Sequence, residues 1–281
     1  PAGATAGWSG GTWSAYGNTQ FSQCASLLPY GGLLMAGTGG FQMNNLYAWN
    51  GVSWNLPGGG LSNLAIALAI YNGELIAGGP FEFAGSTLVN RIARWNGSAW
   101  NPLAVPPPVV TAFASLGSKL IVAGAFTQST TTEAPANNIM AWDGARKEPL
   151  QAGVNSIPLG PDGEPSSIRA LTSYTDGFGQ FTTRRLVVGG YFTSAGGVSA
   201  NRIAMWNEPN FAAPTWSTMG NGFNAGVFAV ERHNNETYAA GEFTMSGGTS
   251  VNRIARWTGS SWAPLGSGMN GNVYALQSYQ G

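Results

Sequence analysis

The chain has 281 residues, 43% of them hydrophobic, with twelve basic and twelve acidic side chains and no net charge. Only 9% of residues are charged and the cations cluster no further than a pair such as Arg184-Arg185, which excludes the cation array that displaces counterions from a nucleic acid. A membrane-crossing helix needs roughly 18 apolar residues, and the longest apolar run, Leu64 to Tyr71, falls far short. The 42 glycines, 11 tryptophans and many β-branched residues point to a turn-rich β protein. Cys24 is alone, which excludes an intrachain disulfide and leaves the redox compartment open. Its surroundings, FSQCASLL, predict a strand with a buried, inert thiol.

The first element in the chain is a pair of short runs holding Trp8 and Trp13. That pair is the start of a repeat. Its leading tryptophan recurs as Trp49, Trp95, Trp142, Trp206 and Trp257, at steps of 41, 46, 47, 64 and 51 residues. A second tryptophan follows five residues later at Trp13, Trp54, Trp100 and Trp262. The fourth copy has Lys147 there, and the fifth delays it to Trp216 behind an insertion, Glu208 to Pro214. Asn90 to Leu103 (NRIARWNGSAWNPL) and Asn252 to Leu265 (NRIARWTGSSWAPL) are near-identical copies. Upstream of each later copy lies a glycine-plus-Phe signature: MAGTGGF at Met35–Phe41, IAGGPF at Ile76–Phe81, VAGAF at Val122–Phe126, VVGGYF at Val187–Phe192 and AAGEF at Ala239–Phe243. An Asn recurs between signature and tryptophan, at Asn44, Asn90, Asn137, Asn201 and Asn252. Ahead of each signature is an apolar run, such as VVTAFASLG at Val109–Gly117 or NVYALQSYQG at Asn272–Gly281.

Each unit therefore holds four runs of strand-like composition, here called A to D. The dipeptides Asn50-Gly51, Asn72-Gly73, Asn96-Gly97 and Asp143-Gly144 lie between runs and predict type I′ hairpins. Four antiparallel strands every 40–50 residues are the pattern of a β-propeller. One such blade cannot bury both faces by itself. Stacking buries them, with glycine in run B allowing close approach and the paired tryptophans filling the outer joint. The sequence predicts one all-β propeller domain over residues 1–281, with complete blades near 17–57, 58–104, 105–151, 165–220 and 221–268. The leftovers, 1–16 and 269–281, are expected to share a sixth blade, closing the ring. That blade lacks run B, so the sequence also reads as a segment of a longer array. The long step between Trp142 and Trp206 comes from a Pro/Gly-rich stretch at Ala145 to Pro165 and from Thr175–Arg185, which lengthens one A–B hairpin. Insertions of this kind become loops on one face, often the binding face.

The strings YFTSAGGVSANRIAMWN (Tyr191–Asn207) and GSSWAPLGSGMNGNVYAL (Gly259–Leu276) resemble the propeller repeats of large secreted or surface proteins of bacteria. They are similar also to the repeats of fungal bud-site cortical-marker proteins and, more loosely, to kelch repeats. The resemblance covers nearly the whole chain from Trp8 onward. It implies an extracellular or cell-surface location and a scaffold or adhesion role, and it supplies no catalytic residues.

The residues themselves offer little chemistry. His233 is the sole histidine, without a nucleophile elbow, and its RHNNET context predicts a solvated turn. One histidine and one cysteine do not make a zinc site. A glycosidase needs two opposed carboxylates. Glu242, at the position held by Pro80, Ala125 and Tyr191 in other copies, is the candidate, with a rim carboxylate as its structural alternative. Asp162 and Glu164 could meet calcium but lack dense oxygen spacing. Arg91, Arg202 and Arg253 recur in phase with the blades and are expected to stack on tryptophan or bond a turn carboxylate. Aromatics off the repeat pattern (Tyr30, Phe178, Phe181, Phe211, Phe223) are the better contact candidates, because the repeat does not require them. The contact residues expected are Tyr191, Glu242, Phe178, Phe181, Asp162 and Glu164, with no catalytic, cofactor or metal site. The function expected is a non-enzymatic extracellular interaction module with a protein or glycan partner at its loop face. A carbohydrate-binding propeller and a glycoside-processing enzyme are the alternatives. Self-association is compatible with the nearly uncharged surface.

Overall fold

A computed structural model of the chain describes residues 5–9, 12–17, 23–39, 45–103, 109–130, 133–155 and 168–278. The chain divides into two compact units, Pro1–Thr111 and Ala112–Gly281. Among the described residues every regular element is a strand, apart from a single 3-10 turn at Pro57–Gly59.

The first unit opens with a hairpin, Ala6–Ser9 paired to Thr12–Ala15, which sets Trp8 opposite Trp13. Sheet one follows, with strands A to D at Gln23–Tyr30, Leu33–Gly39, Leu46–Trp49 and Trp54–Asn55. Sheet two takes Ala67–Tyr71, Glu74–Gly78, Ile92–Trp95 and Trp100–Pro102. Sheet three begins at the unit boundary with Val110–Leu116 and continues with Lys119–Thr130, Glu133–Trp142 and Lys147–Pro149. The second unit adds sheet four, Ile168–Phe178, Phe181–Gly190, Ile203–Pro209 and Thr215–Thr218. Sheet five is Val227–His233, Glu236–Gly241, Ile254–Trp257 and Trp262–Pro264. All five are antiparallel meanders in the order A-B-C-D.

The turn chemistry divides by position. Asn72 and Gly73 both have positive φ, 49° and 78°, which suits a type I′ turn between A and B. The C–D turns differ from expectation. Asn50, Asn96 and Asp143 keep negative φ and instead accept two backbone N–H bonds each through the side chain, as Asn96 Oδ1 does from Ser98 and Ala99. These are Asx turns, in which the short side chain stands in for a backbone acceptor.

Alternation along strand B sends neighbouring residues to opposite faces. In the first unit Met35, Leu46 and Ala48 of sheet one pack with Leu75, Ala77, Ala93 and Trp100 of sheet two. In the second unit Ile121, Ile139 and Ala141 of sheet three meet Leu186, Val188, Ala204 and Trp216 of sheet four. Val187, Ile203 and Met205 of sheet four meet Val230, Ala239, Ala255 and Trp262 of sheet five. Glycine in strand B permits that approach: a Cβ on Gly189 would lie 2.6 Å from Cγ1 of Val227.

The tryptophans form one recurring joint. Within four sheets the strand C and D rings sit opposite each other at centroid distances of 5.4, 5.2, 5.3 and 5.2 Å (Trp49–Trp54, Trp95–Trp100, Trp206–Trp216, Trp257–Trp262). Each strand D indole donates its Nε1–H to a carbonyl just past the preceding C–D pair. Trp54 reaches Tyr16 at 2.6 Å, Trp100 reaches Pro57 at 3.0 Å, Trp216 reaches Leu150 at 2.9 Å and Trp262 reaches Met219 at 3.0 Å.

The expectation of about six blades is corrected to five four-stranded sheets among the described residues. The hairpin at residues 6–15 pairs only with itself, and residues 265–278 contain no strand.

Candidate functional site

Sheet four departs from its neighbours in the length of its hairpins. Strand A runs eleven residues to Phe178 and strand B starts at Phe181, so the A–B hairpin extends past the rest of the sheet. The turn Gly179-Gln180 closes it, and Gly177 and Gly179 supply φ of 102° and 60°. The C–D connection is lengthened on the same edge, because strand C pairs with B as far as Pro209 opposite Thr183. Asn210 ties the two loops together. Its backbone N–H donates to Thr182 O at 3.1 Å, and its side-chain amide donates to Gln180 O at 3.0 Å and Thr182 Oγ1 at 2.7 Å.

The result is a braced knob tipped with three phenylalanines. Phe178, Phe181 and Phe211 are 92%, 73% and 70% exposed, and the Phe181 and Phe211 rings meet at 5.8 Å, tilted by 58°. Single exposed apolar residues are ordinary; here three sit together on a braced support and form a small apolar patch. Ion pairs brace the root. Arg185 bonds Asp176 at 3.2 Å and also Asn207, Arg184 bonds Glu208 at 3.1 Å, and Lys119 bonds Glu148 at 2.6 Å and Glu208 at 3.4 Å. Partial burial alone would lower the Lys119 pKa, but its bonds to the two carboxylates outweigh that and hold it above the usual value. The charged side chains at the root are thus paired with one another, away from the phenylalanines at the tip.

The other expected contact residues fall elsewhere. Tyr191 and Glu242 are brought together around Gly226. Tyr191 is buried, packs on Phe228 at 5.8 Å, and leaves no space for a Cβ at Gly226. Glu242 accepts the Gly226 N–H at 3.1 Å, a bond that closes the strand A start of its own sheet. Asp162 and Glu164 lie outside the described residues. Of the remaining off-pattern aromatics, Phe223 is buried and stacked on Phe243 at 3.9 Å, and Tyr30 is half-buried with its hydroxyl donating to Trp95 O at 3.4 Å. Both are packing residues. His233 ends strand A of sheet five at the A–B turn, half-exposed, with its ring Nε2 3.0 Å from the Asn234 side-chain amide. Burial pushes the Cys24 thiol above its ordinary pKa, which keeps it in the less reactive thiol form.

In the in-phase polar columns, three asparagines and Arg202 make side-chain hydrogen bonds within their own blades. Asn137, Asn201 and Asn252 donate their side-chain amides to Ala152, Asn221 and Ser267, stapling the start of strand C to the segment after strand D. Arg91, Arg202 and Arg253 sit at φ of 73°, 67° and 69°. Arg202 donates to its own sheet, at Phe192 O, rather than stacking on tryptophan or meeting a carboxylate. No signal in a single sequence separates those outcomes.

Residues 183–204, from the second strand of sheet four to the start of its third, match the family model of a domain of unknown function described as a β-propeller, DUF5122. These sheets are β-propeller blades. The chain is similar in fold to the extracellular domain of a protein described as a hybrid two-component system from B. thetaiotaomicron, with a TM-score of 0.58 and 10% identity over 96% of this chain and 32% of that one. A second solved structure, described as the extracellular domain of a one-component system from the same organism, gives a TM-score of 0.33 and 14% identity over 88% of this chain and 30% of that one. The chain therefore spans about a third of the length of these solved structures, at 32% and 30%. No curated protein matches its sequence. Blade four carries two extended loops on one edge, and these make the knob.

Proposed function

We propose that the chain is a non-enzymatic, extracellular β-propeller module that binds a protein partner through the phenylalanine knob of blade four. The observation that carries this reading is the cluster Phe178, Phe181 and Phe211 held out on two hairpins locked by Asn210. Side chains of this kind act as interface anchors when a partner supplies a pocket. A protein fits better than a glycan. Sugar stacking calls for a flat ring face with polar groups beside it, whereas these rings are tilted 58° and phenylalanine carries no polar handle. The extracellular placement rests on the sequence resemblance to secreted bacterial propeller repeats and accords with the extracellular domain that is similar in fold at a TM-score of 0.58. The finer kinship with kelch-type and fungal cortical-marker repeats belongs to the same proposal. A non-enzymatic role agrees with the candidate acid Glu242 being held by a backbone N–H of its own blade.

A photo-reactive phenylalanine analogue at position 178, in protein displayed on the source cells, tests the reading. A distinct polypeptide is expected to cross-link there and not from the exposed control position Val52. Changing Phe178, Phe181 and Phe211 together to Ser should weaken capture by about a hundredfold or more, with the unfolding midpoint unchanged. Equal cross-linking from both positions, or a saturable glycan-array signal that the three Ser changes abolish, would refute it.

A further inference from the structure

A polar cleft of about 500 Å³ opens at the joint between blades four and five. Small-molecule sites of this size are mostly apolar, with a few placed polar groups. Here the balance is reversed. Ser199, Asn201, Asn221 and Asn224 supply most of the lining, and no charged side chain joins them. Phe223 closes the floor; it is 3% exposed and its ring is stacked on Phe243.

Three loops build the walls. Ser199 ends the short hairpin Ser194–Ala195/Val198–Ser199, and Asn201 leads from it towards strand C. Asn221 and Asn224 lie in the loop after strand D of blade four. Gly247 turns the hairpin Met245–Ser246/Thr249–Ser250 of blade five. Part of the polar set holds these loops in place. Asn224 Oδ1 accepts the N–H groups of Thr244 and Met245 at 3.0 Å each, and its amide donates to Thr244 Oγ1 at 3.0 Å. Asn201 Nδ2 donates to Asn221 O at 3.1 Å. The rest is uncommitted. Among the described residues, the Ser199 hydroxyl, Asn201 Oδ1 and the Asn221 side-chain amide have no hydrogen-bond partner.

The repeat does not require these groups. The strand D indoles set the register, because Trp262 bonds Met219 O as Trp100 bonds Pro57 O and Trp216 bonds Leu150 O. Asn221 therefore stands where blade one has Gly59 and blade three has Ala152. Counted from the in-phase Asn201 and Asn90, Ser199 stands where blade two has Leu88. Gly247, at φ 56°, makes room for the added amide: a Cβ there would lie 2.6 Å from Asn221 Nδ2.

Fixed, uncharged amide and hydroxyl groups offer donors and acceptors side by side. An ion would find no opposite charge among them, and a peptide side chain would find neither an apolar nor a charged pocket. A ligand whose own hydroxyls both donate and accept matches the set. We propose that the cleft is a binding site for a neutral sugar. Two adjacent ring hydroxyls meet the Asn221 amide, one accepting from Nδ2 and one donating to Oδ1, while Ser199 and Asn201 Oδ1 bond the neighbouring hydroxyls. The braced loops hold these groups in place before the sugar arrives, which lowers the ordering cost of binding. The site is distinct from the phenylalanine knob and takes a different class of ligand.

The test follows the Asn201 and Asn221 side-chain amide signals of the whole 15N-labelled chain. The titrants are methyl glycosides of neutral hexoses and N-acetylhexosamines, and their disaccharides. At least one should shift both signals and saturate at roughly millimolar ligand. Asn221→Ala and Ser199→Leu place the residues of other blades at two exposed positions. Each should weaken binding, read at Asn201, at least about fivefold, with an unchanged unfolding midpoint. No saturation with any of the sugars, undiminished binding by both variants, or equal shifts from the neutral peptide acetyl-Ser-Gly-Ser-amide overturns the proposal. Changing the three knob phenylalanines to Ser should leave the titration as it is, and Asn221→Ala should leave cross-linking from position 178 as it is, so the two sites fail or stand separately.

Discussion

The strand D tryptophans bind through an edge as well as a face. Each indole N–H meets a carbonyl just past the preceding strand D, and the residue after that carbonyl takes positive φ: Gly17 at 64°, Gly58 at 56°, Gln151 at 53° and Gly220 at 59°. The left-handed residue aims the carbonyl and lets the ring slide over it. At Gly58 an added Cβ would strike both Trp95 and Trp100. Gly58→Ala should therefore destabilise the protein by about 1–3 kcal/mol, from backbone strain and overpacking together, read as a lower urea midpoint at unchanged m-value. An unchanged midpoint would show that the ring and the turn do not meet. The sequence showed that these tryptophans belong to a common joint, because they recur in register. It could not show the carbonyl they bond, since that partner lies 38 to 66 positions away. Gln151 marks the limit: nothing in its type predicts a left-handed conformation, and only its place in the joint demands one.

Strands and turns were readable where local chemistry fixes them and obscure where packing does. The four-run unit, the Asn72-Gly73 hairpin and the lengthened loop at Thr175–Arg185 all follow from short-range patterns. Asn210, which locks that loop to the C–D connection, is invisible in the sequence because it acts across two hairpins. Blade five shows a further cross-strand device. Glu236 accepts from the Tyr238 hydroxyl at 2.7 Å and from Arg256 on strand C. The tyrosine bond first, then the arginine bond, holds the Glu236 pKa below its usual value, and the same carboxylate raises that of Tyr238. A depressed carboxylate contributes stability above its unfolded pKa that is lost as pH falls through its folded one. A raised phenol contributes below its unfolded pKa and loses that as pH rises through its folded one. The stability difference between wild type and Glu236→Gln should thus be flat from neutral to mildly alkaline pH and shrink at both extremes. A difference independent of pH would mean the three side chains do not interact. Since all three are partly exposed, the effect should be small.

The architecture follows from one repeated unit that buries its faces only against its neighbours. That logic gave the blade type, and it gave the wrong total because it assumed that the two leftovers would merge. Each leftover keeps the contacts proper to its own run, the hairpin beside blade one and residues 272–278 beside blade five. Function was less readable than fold for a related reason. The repeat accounts for most of the aromatic and polar residues, so only departures from it, such as the blade four loops, are free to serve a partner. The structural likeness at 10% identity supports the blades and leaves the partner to experiment.

The joint itself can be watched directly by hydrogen exchange of the tryptophan indole N–H groups in a 15N-labelled sample. If stacked blades are clamped through strand D, the indoles of Trp54, Trp100, Trp216 and Trp262 exchange at least about a hundredfold more slowly than free indole. They do so at similar rates, and more slowly than the half-buried strand C residues Trp95 and Trp257. Free-rate exchange at these four positions, or four unrelated rates, would contradict the account.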